Sequence, residues 1–180
     1  MSPLHHAPVP QLTGYINPAS SGLGYLANAG DALVMWDELV PALYPIGGGS
    51  YVVTISGMAA YFQENGVTAY GCLWSSSGAL VAASPAITTP TGLGWVPFPI
   101  AWQGLYQAIP GYIGFWLPGG AANQVPKDST PPVGGWWGSS ASSTPTSLPA
   151  SQGGALNSGW SIYYNWHYPQ LNQLKRLRRR

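Results

Sequence analysis

The sequence predicts an all-β protein, an antiparallel β-sandwich, on three observations. Apolar residues alternate with a period of two in several separate segments, and turn residues punctuate those segments at short intervals. The chain carries 24 Gly and 18 Pro with 13% aromatic residues, a composition that starves helices and favours pleated, half-buried surfaces. Its 46% hydrophobic content supplies one core, and 180 residues suit one domain with extensions at its ends.

Residues 1–30 hold Pro3, Pro8, Pro10 and Pro18 together with Gly14, Gly22, Gly24 and Gly30, without periodicity. They read as an extended arm, either a flexible leader or a segment laid across a neighbouring subunit. The stretch from Asp31 to Val40 is ambiguous between a short helix capped by Asp31 and a strand centred on Leu33, Val34 and Met35. After the Gly47-Gly48-Gly49 turn signal, Tyr51, Val53 and Ile55 alternate with Val52, Thr54 and Ser56, which is a strand pattern. Val67 to Trp74 follows, with Thr68, Tyr70, Cys72 and Trp74 on one side and Val67, Ala69, Gly71 and Leu73 on the other. The Ser75-Ser76-Ser77-Gly78 loop turns the chain into Ala79 to Ser84. Further strands are predicted over 93–98 and 112–117.

Residues 118–159 are rich in Gly, Ser, Thr and Pro, and so long a loop is unusual inside a compact domain. Either it is an excursion bound to a partner, or it holds an irregular strand around Trp136 and Trp137. Trp160, Ile162, Tyr164, Trp166 and Tyr168 then alternate through a closing strand. Leu171, Leu174 and Leu177 recur every three residues, so helix is confined to 31–40 and 169–177. The resulting organisation is an arm over 1–30, a sandwich over 31–168 that includes the loose stretch 118–159, and a basic tail over 169–180.

Charged residues are only 6% of the chain. Five of the six cations are Lys175, Arg176, Arg178, Arg179 and Arg180, and removing them from the formal charge of +1 leaves −4 over residues 1–174. A body so poor in charge tends to associate, which predicts a homo-oligomer or a subunit of a larger assembly, with the two Gly/Pro-rich segments ordered against neighbours. No apolar run reaches the length of a membrane span, and the first residues lack the pattern of a secretory signal. The single cysteine, Cys72, excludes an intrachain disulfide. A virion assembled in the host cytoplasm and released by lysis fits this combination.

Within 44–116 the order of features is Tyr44-Pro45-Ile46-Gly47-Gly48, the strand from Tyr51 to Ser56, Leu73-Trp74-Ser75-Ser76-Ser77-Gly78 and Ala82-Ala83-Ser84. Gly94-Trp95-Val96-Pro97-Phe98 and Gly111-Tyr112-Ile113-Gly114-Phe115-Trp116 complete it. This series resembles the jelly-roll β-sandwich modules of bacteriophage structural proteins, particularly minor tail and decoration proteins of phages that infect actinobacteria. The resemblance covers the middle of the chain and the last strand, and rests on pattern rather than on an invariant motif. It implies a jelly-roll-like sandwich and a virion role as a tail, decoration or carbohydrate-binding component, among which a fold alone does not choose.

The residues themselves point away from catalysis. There is no Gly-x-Ser-x-Gly, the histidines are His5, His6 and His167, and the acids of the body are Asp31, Asp37, Glu38, Glu64 and Asp128, whose spacing gives no reason to converge. His5-His6 lacks partners at ligand spacing, so no metal and no cofactor is expected. Cys72 lies in an apolar strand and reads as a small buried hydrophobe. Sugars stack their C–H faces on aromatic rings, which makes Trp102, Trp136, Trp137 and Tyr163 the candidate glycan-binding residues against the competing role of core or interface anchors. The cluster Lys175, Arg176, Arg178, Arg179 and Arg180 is a candidate partner-binding tail or a solvated end. Nothing base-reading accompanies it, so sequence-specific nucleic-acid binding is not expected. The sequence therefore predicts a non-enzymatic virion structural protein working through protein–protein assembly. The alternative is a carbohydrate-binding module that contacts the host envelope.

Overall fold

The computed structural model describes residues 11–14, 22–24, 31–39, 52–62, 66–89, 94–105, 108–119, 124–128, 135–150, 159–160 and 162–167. Among them are fourteen strands and no α-helix, and every ladder is antiparallel. The first sheet runs β1 (Gln11–Gly14), β14 (Ile162–His167), β4 (Val52–Phe62) and β8 (Gly94–Phe98), with β9 (Trp102–Leu105) on the other half of β4. The second runs β12 (Trp136–Ser140), β3 (Ala32–Glu38), β10 (Tyr112–Leu117), β5 (Thr68–Trp74) and β6 (Leu80–Ala83), with β7 (Ile87–Thr88) also on β5. A small third sheet joins β13 (Gly159–Trp160), β11 (Gln124–Asp128) and β2 (Gly22–Gly24).

Two edges are built the same way, from short strands placed end to end along one long partner. β8 pairs with Met58 to Phe62 and β9 with Val52 to Ile55. Between them Pro99 to Ala101 face only Ser56 and Gly57, so the edge carries one surplus residue and bends there. Pro97 is exposed within β8, on an edge where a missing N–H breaks no second ladder. On the other sheet β6 pairs with Cys72 to Trp74 and β7 with Thr68 and Ala69. Ser84 fills the break: its amide donates to the Gly71 carbonyl at 2.8 Å, and its hydroxyl accepts the Gly71 N–H at 2.9 Å in a buried position. The side chain thus replaces a ladder bond that the backbone does not make.

One core lies between the two large sheets. Leu33, Met35, Leu73, Ile113, Phe115 and Leu117 come from the second sheet, and Val53, Ile55, Met58, Phe62, Val96 and Phe98 from the first. Phe62 sits edge-on to Phe115 at 5.3 Å between ring centroids, a favoured aromatic geometry. In the second sheet the period of two puts Leu33, Met35, Leu73, Ile113, Phe115 and Leu117 on the inner face and leaves Ala32, Val34, Trp36, Cys72, Trp74 and Trp116 on the outer face. That outer set is also buried and forms a second cluster. An antiparallel sheet ordinarily wets one face. Here the chain covers it.

The cover is the stretch 141–150, which follows β12 and crosses the outer face as a strap. The indole N–H of Trp74 donates to the Thr146 carbonyl at 2.8 Å, and that of Trp116 to the Ser142 carbonyl at 3.1 Å. The Leu148 amide donates to the Gly78 carbonyl at 2.8 Å, and Leu148 packs on the outer cluster. Ser142 shapes the strap locally by donating its hydroxyl to the Thr144 carbonyl at 2.6 Å. Gly138 is needed beneath it, since a Cβ there would fall 2.8 Å from the Ala150 carbonyl oxygen and 2.9 Å from Pro149 Cγ.

This arrangement bears on three stretches. Within the ambiguous stretch 31–40, Ala32–Glu38 forms a strand, β3, with β12 and β10 as its neighbours. The loose stretch 118–159 contains β11, β12 and the strap, so the expectation that it is ordered only against neighbours is corrected for 135–150, which packs on its own sheet. Within 1–30, β1 pairs with β14 and β2 with β11. The predicted helix over 169–177 and the tail at 175–180 lie outside the described residues.

Candidate functional site

Beside the strap, the outer face opens into a cleft of about 390 Å³ lined by Trp36, Tyr112, Trp136, Ser76, Ser77 and Leu148, with Gly78 and Pro149. Strand register explains how the rings meet. Trp136 on β12 stands directly opposite Trp36 on β3, and Trp36 stands opposite Gly114 on β10. Gly114 has no side chain to compete with the indole. Tyr112, two residues before Gly114 on the same face, meets Trp136 edge-on, with 6.3 Å between centroids and 84° between planes. Trp36 is buried, whereas Tyr112 and Trp136 are half-buried, so two of the three rings keep surface toward the cleft.

The opposite wall is the turn between β5 and β6. The Gly78 amide donates to the Ser75 carbonyl at 2.9 Å, and the Ser75 amide to the Ala79 carbonyl at 2.9 Å. Ser76 and Ser77 are exposed at the tip; Ser77 shares a hydroxyl–hydroxyl bond of 2.9 Å with Ser75. Glu38 is exposed and stands opposite Tyr112 in the β3–β10 ladder, two residues beyond Trp36 and therefore on the same face. An aromatic floor with hydroxyls and one carboxylate at its margin can stack a flat apolar face and exchange hydrogen bonds with polar substituents around it.

Of the predicted glycan contacts whose side chains are described, only Trp136 lines this cleft. Trp137 alternates to the other face and packs against the inter-sheet core, as does Trp102, whose ring is folded over Gly104 with Cζ2 at 2.5 Å from where a Cβ would stand. Both are half-buried packing residues. Tyr163 lies on β14 opposite Ala59, in the other large sheet; its side chain is outside the described residues. Among the described side chains, Trp136 thus faces the cleft while Trp102 and Trp137 pack on the inter-sheet core.

Comparison with protein-family models, with curated proteins and with solved structures returned no match. The site is therefore read from its own chemistry. Cys72 is fully buried, its thiol 3.8 Å from the Tyr70 carbonyl, and burial pushes its pKa far above the ordinary thiol range. A thiol held protonated is a poor nucleophile. Among the described residues no group of three His, Cys, Asp or Glu side chains is placed to hold a metal ion. His5, His6 and the basic cluster at 175–180 lie outside the described residues, as does the side chain of His167.

Sequence reasoning passed over Trp36, Tyr112, Ser76 and Ser77. Trp36 was hidden in a stretch whose secondary structure was ambiguous. The available signal was that Leu33 to Trp36 and Ile113 to Leu117 are apolar at nearly every position, which marks strands buried on both faces and calls for a second layer over the outer one.

Proposed function

We propose that this chain is a non-enzymatic structural subunit of a bacteriophage virion, a minor tail or capsid decoration protein with a jelly-roll-like sandwich, acting through protein–protein assembly. The observation that carries the reading is a body of two antiparallel sheets with almost no charge on it. Such a surface offers little electrostatic repulsion between copies. That surface supports association with other virion proteins and homo-oligomerisation, with assembly taking place in the host cytoplasm. The basic cluster from Lys175 to Arg180 supplies a second, electrostatic contact with an acidic partner surface. Quantitative mass spectrometry of density-purified particles tests this. A fixed copy number per particle is the expected result, and absence of the chain from infectious particles would overturn it.

The aromatic cleft favours a second reading, a carbohydrate-binding module that contacts the host envelope. Retention of the purified chain on host cell-wall glycan is its test, and an unretained chain speaks against it.

A further inference from the structure

We infer that the cleft between Trp136, Tyr112 and the Ser76–Ser77 turn is a binding site for an uncharged pyranose saccharide, with the C–H face of the sugar stacked on one of the half-buried rings of Trp136 and Tyr112 and its edge against the other. This inference rests on the carbohydrate-binding reading and gives it a site and a ligand class.

Three observations carry it. The volume of about 390 Å³ falls in the lower part of the range of small-ligand sites, about 300–1,000 Å³; the cleft is therefore sized for a short saccharide. The lining couples rings to hydroxyls. A purely apolar ligand would leave the exposed Ser76 and Ser77 hydroxyls facing it, and a flat aromatic ligand would find the floor broken by the 84° angle between Tyr112 and Trp136. A pyranose has a C–H face for one ring, an edge for the other and equatorial hydroxyls for the serines.

Charge selects within the sugars. Lys127 is the one Lys or Arg in the sequence before the terminal cluster, and it belongs to β11 in the small third sheet. The charged group that the register places beside the cleft is Glu38, which repels carboxylated or phosphorylated sugars. Uncharged hydroxyls can donate to it. Neutral glycan is thereby favoured over anionic polymer.

The site is also preorganised. Trp36 is held beneath by its ladder partners, and the Leu148 amide ties the strap to Gly78 at 2.8 Å, so the wall formed by Leu148 and Pro149 is joined to the serine turn. Little ordering is left for the ligand to impose.

The test is titration of the full-length chain with maltotriose, cellotriose, triacetylchitotriose and, as the anionic counterpart, trigalacturonate, followed through the indole N–H resonances. At least one neutral trisaccharide is expected to shift the Trp136 and Trp36 signals saturably. Trp136→Ala and Ser76→Leu should each weaken that binding by at least tenfold. Ser76 is exposed, so the longer side chain narrows the cleft without entering a core, and this variant stays informative if Trp136→Ala fails to fold. Leu105→Ala, at an exposed position on the other sheet, should bind as the parent does. Shifts that map away from the cleft, equal binding of trigalacturonate, or unchanged affinity in Ser76→Leu would overturn the assignment. Retention on whole cell-wall glycan with no cleft shift would remove this site and keep the carbohydrate-binding reading, whereas failure of both measurements would remove the two together.

Discussion

The indole of Trp74 donates its N–H to the backbone carbonyl of Thr146, 72 residues further along the chain, at 2.8 Å. Trp116 does the same to Ser142 at 3.1 Å. These two bonds let large aromatic side chains lie under the strap with their polar atoms satisfied, which a buried indole requires. They also turn a segment without regular secondary structure into the second layer of a buried sheet.

Trp74→Phe keeps a ring in place and deletes the donor, leaving the Thr146 carbonyl without this partner. A loss of about 0.5–1.5 kcal/mol is expected, the net worth of one hydrogen bond, because Thr146 is exposed and its carbonyl can turn to water. The Leu148 amide, which ties the strap to Gly78, should exchange with solvent faster in the variant than in the parent. Urea unfolding together with amide exchange checks both effects. Parental exchange at Leu148 would mean that the strap is held without the indole.

Ser84→Ala removes the acceptor for the buried Gly71 N–H. Destabilisation of about 1–3 kcal/mol should follow, seen as a lower denaturation midpoint with an unchanged slope. Ser84→Thr keeps the hydroxyl and should recover part of the loss.

Gly114→Ala places a Cβ against the Met35 carbonyl oxygen and 2.8 Å from Trp36 Cα. Backbone atoms cannot step aside as a flexible side chain can, so the β3–β10 ladder must separate. The variant should lose at least the roughly 1–3 kcal/mol typical of overpacking and express poorly. Gly94→Ala has no atom within 4 Å of its new Cβ and should stay within about 0.5 kcal/mol of the parent. Thermal melts of the two variants side by side provide the comparison.

Burial holds Cys72 protonated in the folded protein at pH values where an unfolded thiol ionises. The unfolded state then binds fewer protons than the native state once pH exceeds about 8.5, the ordinary thiol value, so stability falls as pH rises through that region. Below it the contribution is fully present. The limiting slope for one group is about 1.4 kcal/mol per pH unit, and Cys72→Ala should remove that component above about pH 8.5. Native protein should also resist thiol reagents at pH 8 that label it readily in denaturant.

On the proposed virion role, deleting residues 175–180 should lower incorporation into particles while the far-ultraviolet spectrum of the sandwich stays the same. Retention of the intact chain should weaken as salt rises, because the screening length falls from about 10 Å at 0.1 M to about 3 Å at 1 M. Normal incorporation of the truncated chain would reduce the cluster to a solvated end.

Strands were legible where local pattern and turn chemistry agree. The segment from Val52 to Ser56, the strand ending at Trp74, the turn at Ser75 to Gly78 and the strand over 112–117 all appear where alternation places them. Strands β9 and β12 were not assigned firmly, because Trp102 to Leu105 and Trp136 to Ser140 contain glycine and serine and take their shape from the long partners β4 and β3. Part of the cleft was legible too, since Trp136 was singled out, but its partners Trp36 and Tyr112 stand 100 and 24 residues away along the chain and meet it only through the register of β12, β3 and β10.

By itself the sequence determined the all-β class, the alternation that separates the two faces of β5 and the scarcity of charge, because period, propensity and composition are properties of neighbouring residues. The tertiary structure decided which tryptophans are packing and which line a cleft. Trp136 and Trp137 are adjacent and chemically identical, yet one faces the outer aromatic cluster and the other the inter-sheet core. Tertiary structure also made a covering layer of the strap. A stretch of Ser, Thr and Pro has no periodicity from which a fold can be read, and it takes its shape here from the carbonyls that Trp74 and Trp116 need and from the bare surface of Gly138.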